Sequence, residues 1–374
     1  MKVKLPRKEL VALAKAVASI AKTSDIRPVL RNVLLAATPD GFELTATDLT
    51  TGYWLTIKTA DGAVVSKEGV ALVSAQSFQR VLNTLTSDSV LLEMVENQLV
   101  ITADKARFKL VTEDHKDFPG IGRFSTRAPF ATVSAKVAAS LINRVAFCAH
   151  SERSHYNMHG VLIKESDGLL EMAATNGQRL SVSSATVEIP CKSESKRELI
   201  IPAAAVTTIN KVVGDGPGET VDLQWKARSL NVRGARGEAF LLALSGRYPP
   251  YERGIPDNTR SVELNRRLLV ELMKQATALR ASTSAFVDLT LEDGRLVFQS
   301  NVQDSGSTKI ECAAVWEHDP LTIVVNPDFI MQTASAMVGD TVTMEIEDIN
   351  TPTLLRENSG GLVDSLCVFA VARR

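Results

Sequence analysis

Apolar residues recur along this chain at two periods. Over residues 7–22, Leu10, Leu13, Ala14 and Val17 fall on one side of a helix, and Lys8, Ala12, Lys15, Ser19 and Lys22 fall on the other. The same spacing predicts a helix over 134–150, with Val137, Leu141 and Val145 inward and Lys136, Ser140 and Arg144 outward. It predicts another over 265–280, with Leu268, Leu269, Leu272, Met273 and Ala276 inward. Arg266, Arg267 and Lys274 then face out, diluted by Glu271. Three more helix-like segments, 74–85, 202–213 and 327–338, open at Ser74, Pro202 and Pro327, residue types that start helices. Arg80 and Lys211 are the basic residues of the first two. Between the helices the period falls to two, as in 42–45, 341–347 and Ala106 to Val111, and predicts strands.

The elements recur in a fixed order. Asp40-Gly41, Asp167-Gly168 and Asp293-Gly294 each separate two alternating runs, the pattern of a β-hairpin turn. A small polar pair follows each: Thr47-Asp48, Thr175-Asn176 and Ser300-Asn301. From the second residue of each pair, 26 positions lead to Ser74, Pro202 and Pro327. The last two of these helices stop at Val213-Gly214-Asp215 and Val338-Gly339-Asp340. Matching landmarks at equal offsets predict three copies of one α+β unit, each of two helices and about eight strands. The joints fall in Gly-, Pro- and charge-rich stretches, 117–128 and 246–260. The expected domains are 1–125, 126–256 and 257–374.

Charge sharpens this picture. The chain has 374 residues and a net charge of −1, which by itself is no sign of a nucleic-acid binder. The six helical segments nevertheless carry +9, so the remainder carries −10. Basic helices and acidic sheets suit a surface that meets phosphates on one side and repels them on the other. Aromatic residues make up only 5% and do not interleave with the basic helices. Loose, sequence-blind contact with duplex phosphates fits better than stacking on single strands.

Signs of chemistry are sparse. The sequence holds no nucleotide-binding loop, dinucleotide fingerprint, zincin helix or nucleophile elbow. His150, His155 and His159 cluster in a polar loop without a completing Cys or carboxylate, and Cys148, Cys191, Cys312 and Cys367 are scattered. No metal and no cofactor is expected. The longest stretch without a charged residue, Leu199 to Asn210, is too short to span a bilayer, and the charged N-terminus does not read as a signal peptide. A cytoplasmic protein without membrane contact is expected. An α+β repeat enzyme with a site between domains is the alternative reading.

Four segments carry a family resemblance. ATNGQRLSV (174–182) resembles the signature segment of bacterial DNA polymerase sliding clamps, the polymerase III beta subunits. IRPVLRNVLL (26–35) with TATDL (45–49), ELIIPAAAV (198–206) and SGRYPPYERGIP (245–256) resemble other segments of that family. The resemblance implies three clamp domains per subunit, two subunits closed head to tail as a homodimeric ring, and helices lining a hole for duplex DNA. It implies a non-catalytic processivity factor that binds DNA polymerase, clamp loader and other partners through short peptides with Gln, Leu and Phe-type anchors.

By the same resemblance the peptide pocket comprises Met158, Thr175, Gly177, Gln178, Arg179, Leu180, Pro249, Ile255, Val368, Ala370, Val371, Ala372 and Arg373. The DNA-facing set is Lys8, Lys15, Lys22, Arg80, Lys136, Arg144, Lys211, Arg266, Arg267 and Lys274. Phe108 and Leu110, on the strand Ala106 to Val111, and Leu279 are the expected dimer contacts. Asn176 and Gln178 replace the family's usual Asp and His. The tail Ala370-Val371-Ala372-Arg373-Arg374 lacks the usual methionines, which implies a wider or shallower pocket.

Overall fold

The computed structural model describes residues 1–21, 27–125, 131–152, 156–188, 197–212, 219–280, 286–302, 305–357 and 363–372. Lys22, His155, Cys191, Arg373 and the 213–215 helix stop lie outside them. The described residues form six α-helices: α1 (Arg7–Ala21), α2 (Ala75–Thr84), α3 (Ala135–Val145), α4 (Ala203–Thr208), α5 (Arg266–Ala276) and α6 (Pro327–Ala336). All six fall within the segments expected from periodicity or from start residues. α3 and α4 tighten into 3-10 turns at Ala146–Cys148 and Ile209–Lys211. Ser74 caps α2, its Oγ accepting from Ser77 N at 3.3 Å; Pro327 opens α6 as its first residue, and the cap is the preceding Asn326, whose Oδ1 accepts from Asp328 N at 2.9 Å. At the hairpin between strands Gly160–Ser166 and Leu169–Thr175, both Asp167 (φ 53°) and Gly168 (φ 85°) are left-handed, as a two-residue turn requires.

The chain divides into two compact units. One contains residues 1–136 and 208–243, the other 137–188, 197–207 and 244–372 among the described residues. The first holds a five-stranded sheet ordered Val64–Lys67, Lys2–Pro6, Ser89–Val95, Gln98–Ala103, Ala106–Val111. It also holds an eight-stranded antiparallel sheet in which Thr51–Lys58 of the first repeat pairs with Gly237–Leu242 of the second, from Leu55↔Gly237 to Thr51↔Leu241. α1 packs on α2 and on the strands Gly41–Thr47 and Thr51–Lys58, burying Leu10, Leu13 and Val17.

The second unit repeats the arrangement. In its eight-stranded sheet, Arg179–Thr186 of the second repeat pairs with Asp364–Phe369 of the third, from Arg179↔Phe369 to Ser184↔Asp364. A four-stranded sheet ends on Gly306–Ala313. α5 and α6 pack together, and Leu269, Leu272, Met273 and Ile330 join Phe298 and Trp316 in one core. Leu268 corrects the sequence reading: it is 41% exposed. The buried stripe runs Leu269, Leu272, Met273, Ala276, and Leu268 lies about 100° away from its first member.

Candidate peptide groove and basic helix faces

The groove lies on one face of the second unit's eight-stranded sheet. Side chains alternate across a strand, so Leu180 and its partner Val368 share that face with Leu162, Ala173, Val182, Ile200 and Leu354. The segment after residue 243 folds over them, with Leu244, Tyr248, Tyr251 and Ile255 packed on the cluster. Tyr248 anchors this cover: its hydroxyl accepts from Thr175 N at 3.0 Å and donates to Gly160 O at 3.4 Å. Tyr251 bonds Glu171, and Lys164 bridges Glu171 at 3.7 Å and Glu252 at 3.3 Å. Burial pushes both tyrosine hydroxyls well above their usual range, so they remain neutral donors.

The rim of the groove is a turn built by its own side chains. Thr175 Oγ1 donates to Arg179 O at 2.8 Å and accepts from Gly177 N at 3.1 Å. Asn176 Oδ1 accepts from Gln178 N at 3.0 Å and Arg179 N at 3.1 Å. In the first repeat, Thr47 and Asp48 make the same turn, with Asp48 Oδ1 accepting from Thr50 N and Thr51 N at 2.9 and 2.6 Å. Asn in place of Asp therefore keeps the acceptor that the turn needs. Gly177 has φ 86°, where a side chain is strained. Gly177 and Gln178 are both exposed.

The other pocket residues divide. Ile255 joins the Leu180–Val368 cluster. Pro249 is half-buried, and its carbonyl accepts from Tyr251 N at 2.7 Å. Met158 is half-buried, with its carbonyl on His150 N at 2.8 Å. Ala370 N donates to Gln178 O at 2.9 Å, but Ala372 N donates to Val324 O at 2.8 Å, so the tail leaves the groove strand for another. Val371, just beyond the strand, is half-buried and packs against the third-repeat core that holds Phe369. Arg179 is not a free cation. Its guanidinium donates to Gln332 Oε1 at 2.6 Å and Phe147 O at 2.7 Å, with the Phe147 and Phe329 ring centres 5.2 and 4.8 Å away. The sequence reading missed Tyr248 and Tyr251; their signal was a pair of aromatics in an otherwise Pro- and Gly-rich joint.

The helix faces are basic where the stripes place them. Lys8, Ala12, Lys15 and Ser19 of α1 are exposed, as are Arg80, Lys136, Arg267 and Lys274. Lys211 is half-buried and donates to Ser19 Oγ at 2.6 Å; burial, then the charge on Lys15, pulls its ammonium below the usual lysine range. Two arginines are corrections. Arg144 is 5% exposed and ion-paired to Glu357 at 2.7 Å. Stepping by four from Lys136 and Ser140 drifts about 40° per step, which carries position 144 round to the buried side with Leu141 and Val145. Arg266 is half-buried and donates to Gly339 O at 2.6 Å and Ala334 O at 3.0 Å, so its charge serves the C-terminal end of α6.

Two edges complete the picture. Ala106–Val111 ends the five-stranded sheet, with Phe108 and Leu110 half-buried on one face. Leu279 is 41% exposed beside the edge strand Gly306–Ala313. His150 and His159 line a groove of about 410 Å³ between Ala146 and Thr207. Among the described residues no three His, Cys, Asp or Glu side chains gather to hold a metal. No helix among them is long and apolar enough to cross a membrane.

Three α+β repeats joined through continuous antiparallel sheets, with lysines and arginines on the helices and an apolar slot on a sheet face, are the build of a DNA clamp. The chain belongs to the family of the DNA polymerase III beta subunit. The family's N-terminal domain matches residues 1–122, its central domain 132–250 and its C-terminal domain 253–367. The beta sliding clamp of Chlamydia pneumoniae is 25% identical over 364 residues, 97% of each chain. That of Pseudomonas aeruginosa is 24% identical over 357 residues, 94% of this chain and 95% of its own. Among solved structures, the P. aeruginosa clamp bound to griselimycin superposes with a TM-score of 0.88 at 22% identity, and covers 100% of both chains. The Bacillus subtilis clamp does so with a TM-score of 0.88 at 20% identity, over 100% of this chain and 99% of its own.

Proposed function

We propose that this chain is a processivity clamp: it encircles duplex DNA without reading sequence and tethers a replicative polymerase and other proteins through the groove. The observation that carries this reading is the match of all three family domains, in order, along nearly the whole chain. The exposed basic positions of α1, α2, α3 and α5 support it, because a ring that slides needs phosphate contacts that are numerous, weak and unspecific. The chain catalyses nothing itself.

Two copies close head to tail in this reading. The Ala106–Val111 edge of one copy pairs with the Gly306–Ala313 edge of the other, and Phe108, Leu110 and Leu279 fill the seam. Pairing these edges would cover strand backbone that otherwise invites aggregation. A clamp loader opens this ring on DNA in the cytoplasm. The test is topological. With a loader and ATP, the protein should stay on closed circular DNA through gel filtration and be lost when the circle is linearised. Equal retention on both forms would refute encirclement.

A further inference from the structure

We propose that Tyr248 is a positioning residue of the peptide groove: its hydroxyl replaces a missing rung between the strands Gly160–Ser166 and Leu169–Thr175, and so holds the rim turn in the form that receives a peptide. The two strands pair regularly from Ser166↔Leu169 to Leu162↔Ala173, and there the pairing stops. Continued in the same register, it would set Gly160 opposite Thr175. Both residues are buried, and each still pairs on its outer side, Gly160 with Pro202 and Thr175 with Leu180. The sheet is thus split between these two residues and continuous on either side of the split.

A hydrogen-bonded antiparallel pair exchanges two N–H···O bonds. Here both donors go elsewhere. Gly160 N turns back to Asn157 O at 2.9 Å. Thr175 N donates to the Tyr248 hydroxyl at 3.0 Å, which donates in turn to Gly160 O at 3.4 Å. One hydroxyl therefore satisfies a backbone donor and a backbone acceptor that would otherwise face each other unpaired across the split. The wedge is itself held in place. The Tyr248 ring packs on the groove cluster, and the Tyr251 ring meets it edge-on, with centres 6.4 Å apart. Asn157 Nδ2 donates to Ser245 O at 3.1 Å, which ties the joint just before Tyr248 to the loop that carries Met158.

Thr175 is where the wedge and the rim meet. Its N–H is bound to Tyr248, and its Oγ1 bonds Arg179 O and Gly177 N, which close the rim turn. A rim released from Tyr248 samples other tilts. A peptide then meets only the fraction of molecules with the rim in place, and its apparent affinity falls by that fraction. The hydroxyl spends its bonds on the sheet backbone, so a bound peptide keeps its own contacts when the hydroxyl is removed. The loss therefore falls on association and not on dissociation.

The binding consequence rests on the proposed clamp reading; the wedge itself does not. The test compares the full chain with Tyr248→Phe and, as a control, with Tyr53→Phe, which removes a buried tyrosine hydroxyl in the first repeat. For a fluorescent peptide with Gln, Leu and Phe anchors, Tyr248→Phe should slow association about fivefold or more and leave dissociation within about twofold, at unchanged native mass. Tyr53→Phe should change neither rate. By NMR, hydrogen exchange of the Thr175 amide should quicken about tenfold or more in Tyr248→Phe, while the core amides of Leu289 and Phe298 keep their rates. Faster dissociation with association unchanged would make Tyr248 a peptide contact and overturn the positioning role. Equal losses in the two variants would reduce that role to general packing. Unchanged exchange at Thr175 would overturn the wedge. Failure of the parent chain to bind the peptide would count against the groove and therefore against the binding role, while the exchange rate still decides the wedge.

Discussion

Arg144 shows how one side chain can leave the surface that its spacing assigns to it. Its guanidinium bonds Glu357 Oε2 through Nε at 2.8 Å and Nη2 at 2.7 Å, and Ser365 Oγ donates to the same oxygen at 2.9 Å. Glu357 Oε1 accepts from Val338 N and Gly339 N at 2.7 and 2.6 Å. Burial works against this carboxylate, but the two N–H groups and Arg144 outweigh it and hold Glu357 below the usual carboxylate range. Arg144→Met should leave that charge buried without its cation and cost about 3–5 kcal/mol, readable by urea unfolding. In the folded fraction the salt dependence of DNA retention should not change. The pH dependence follows from the depressed carboxyl. The contribution of Glu357 to stability is fully present above its unfolded value, about 4.3, and is lost as pH falls through its lower folded value. Glu357→Gln should flatten that part of the acid-unfolding curve; an identical curve would show that the carboxylate is not its source. Thr175-Asn176 and Thr47-Asp48 were legible in the sequence because each turn is made by side chains adjacent in the chain. Arg144 and Glu357 lie more than two hundred positions apart, and no local pattern reveals such a partner.

At the scale of elements, periodicity located three helices and start residues at equal offsets the other three, but neither showed where a helix tightens. α1 kept its opposite stripes because a helix of 15 residues presents whole turns to the core. α4 has only six residues before its 3-10 turn, too few for a stripe to settle which side Lys211 takes. Lys8→Glu with Lys15→Glu should weaken retention on DNA. If each lysine meets one phosphate, the log–log salt slope should fall by roughly 0.9 per residue. A slope equal to that of the parent would remove α1 from the DNA-contacting surface. The groove makes a separate prediction. Leu180 is 6% exposed and lies opposite Val368. Leu180→Ala should weaken binding of an anchor peptide by roughly 1–4 kcal/mol, seen in fluorescence anisotropy, while the native mass stays constant. Loss of that mass together with affinity would mean that Leu180 serves packing alone.

For the whole molecule, the repeat was legible from landmarks at equal offsets, whereas the two-unit packing was not. Each eight-stranded sheet joins four strands of one repeat to four of the next, and the pairing of Thr51–Lys58 with Gly237–Leu242 that joins the first two leaves no trace in either segment alone. The edge strand Ala106–Val111 was legible because its alternation is regular. Phe108→Asp with Leu110→Asp should place two charges in the proposed seam, each costing several kcal/mol, about 2–7, to bury unpaired. The variant should be a folded monomer of about half the native mass by light scattering, and an unchanged mass would refute the seam.

The same sheets set a timetable for synthesis. When Thr51–Lys58 leaves the ribosome, its strand Gly237–Leu242 is still about 180 residues away, roughly ten to thirty-five seconds at about 5–20 residues per second. Arg179–Thr186 waits as long for Asp364–Phe369. For that interval a nascent chain carries an open strand flank rich in apolar residues, which in a crowded cytosol can meet the same flank on a neighbouring chain of one polysome. The strand that later joins two repeats is thus also where a half-made chain is most exposed to its siblings, and where a ribosome-bound chaperone would have the longest time to act.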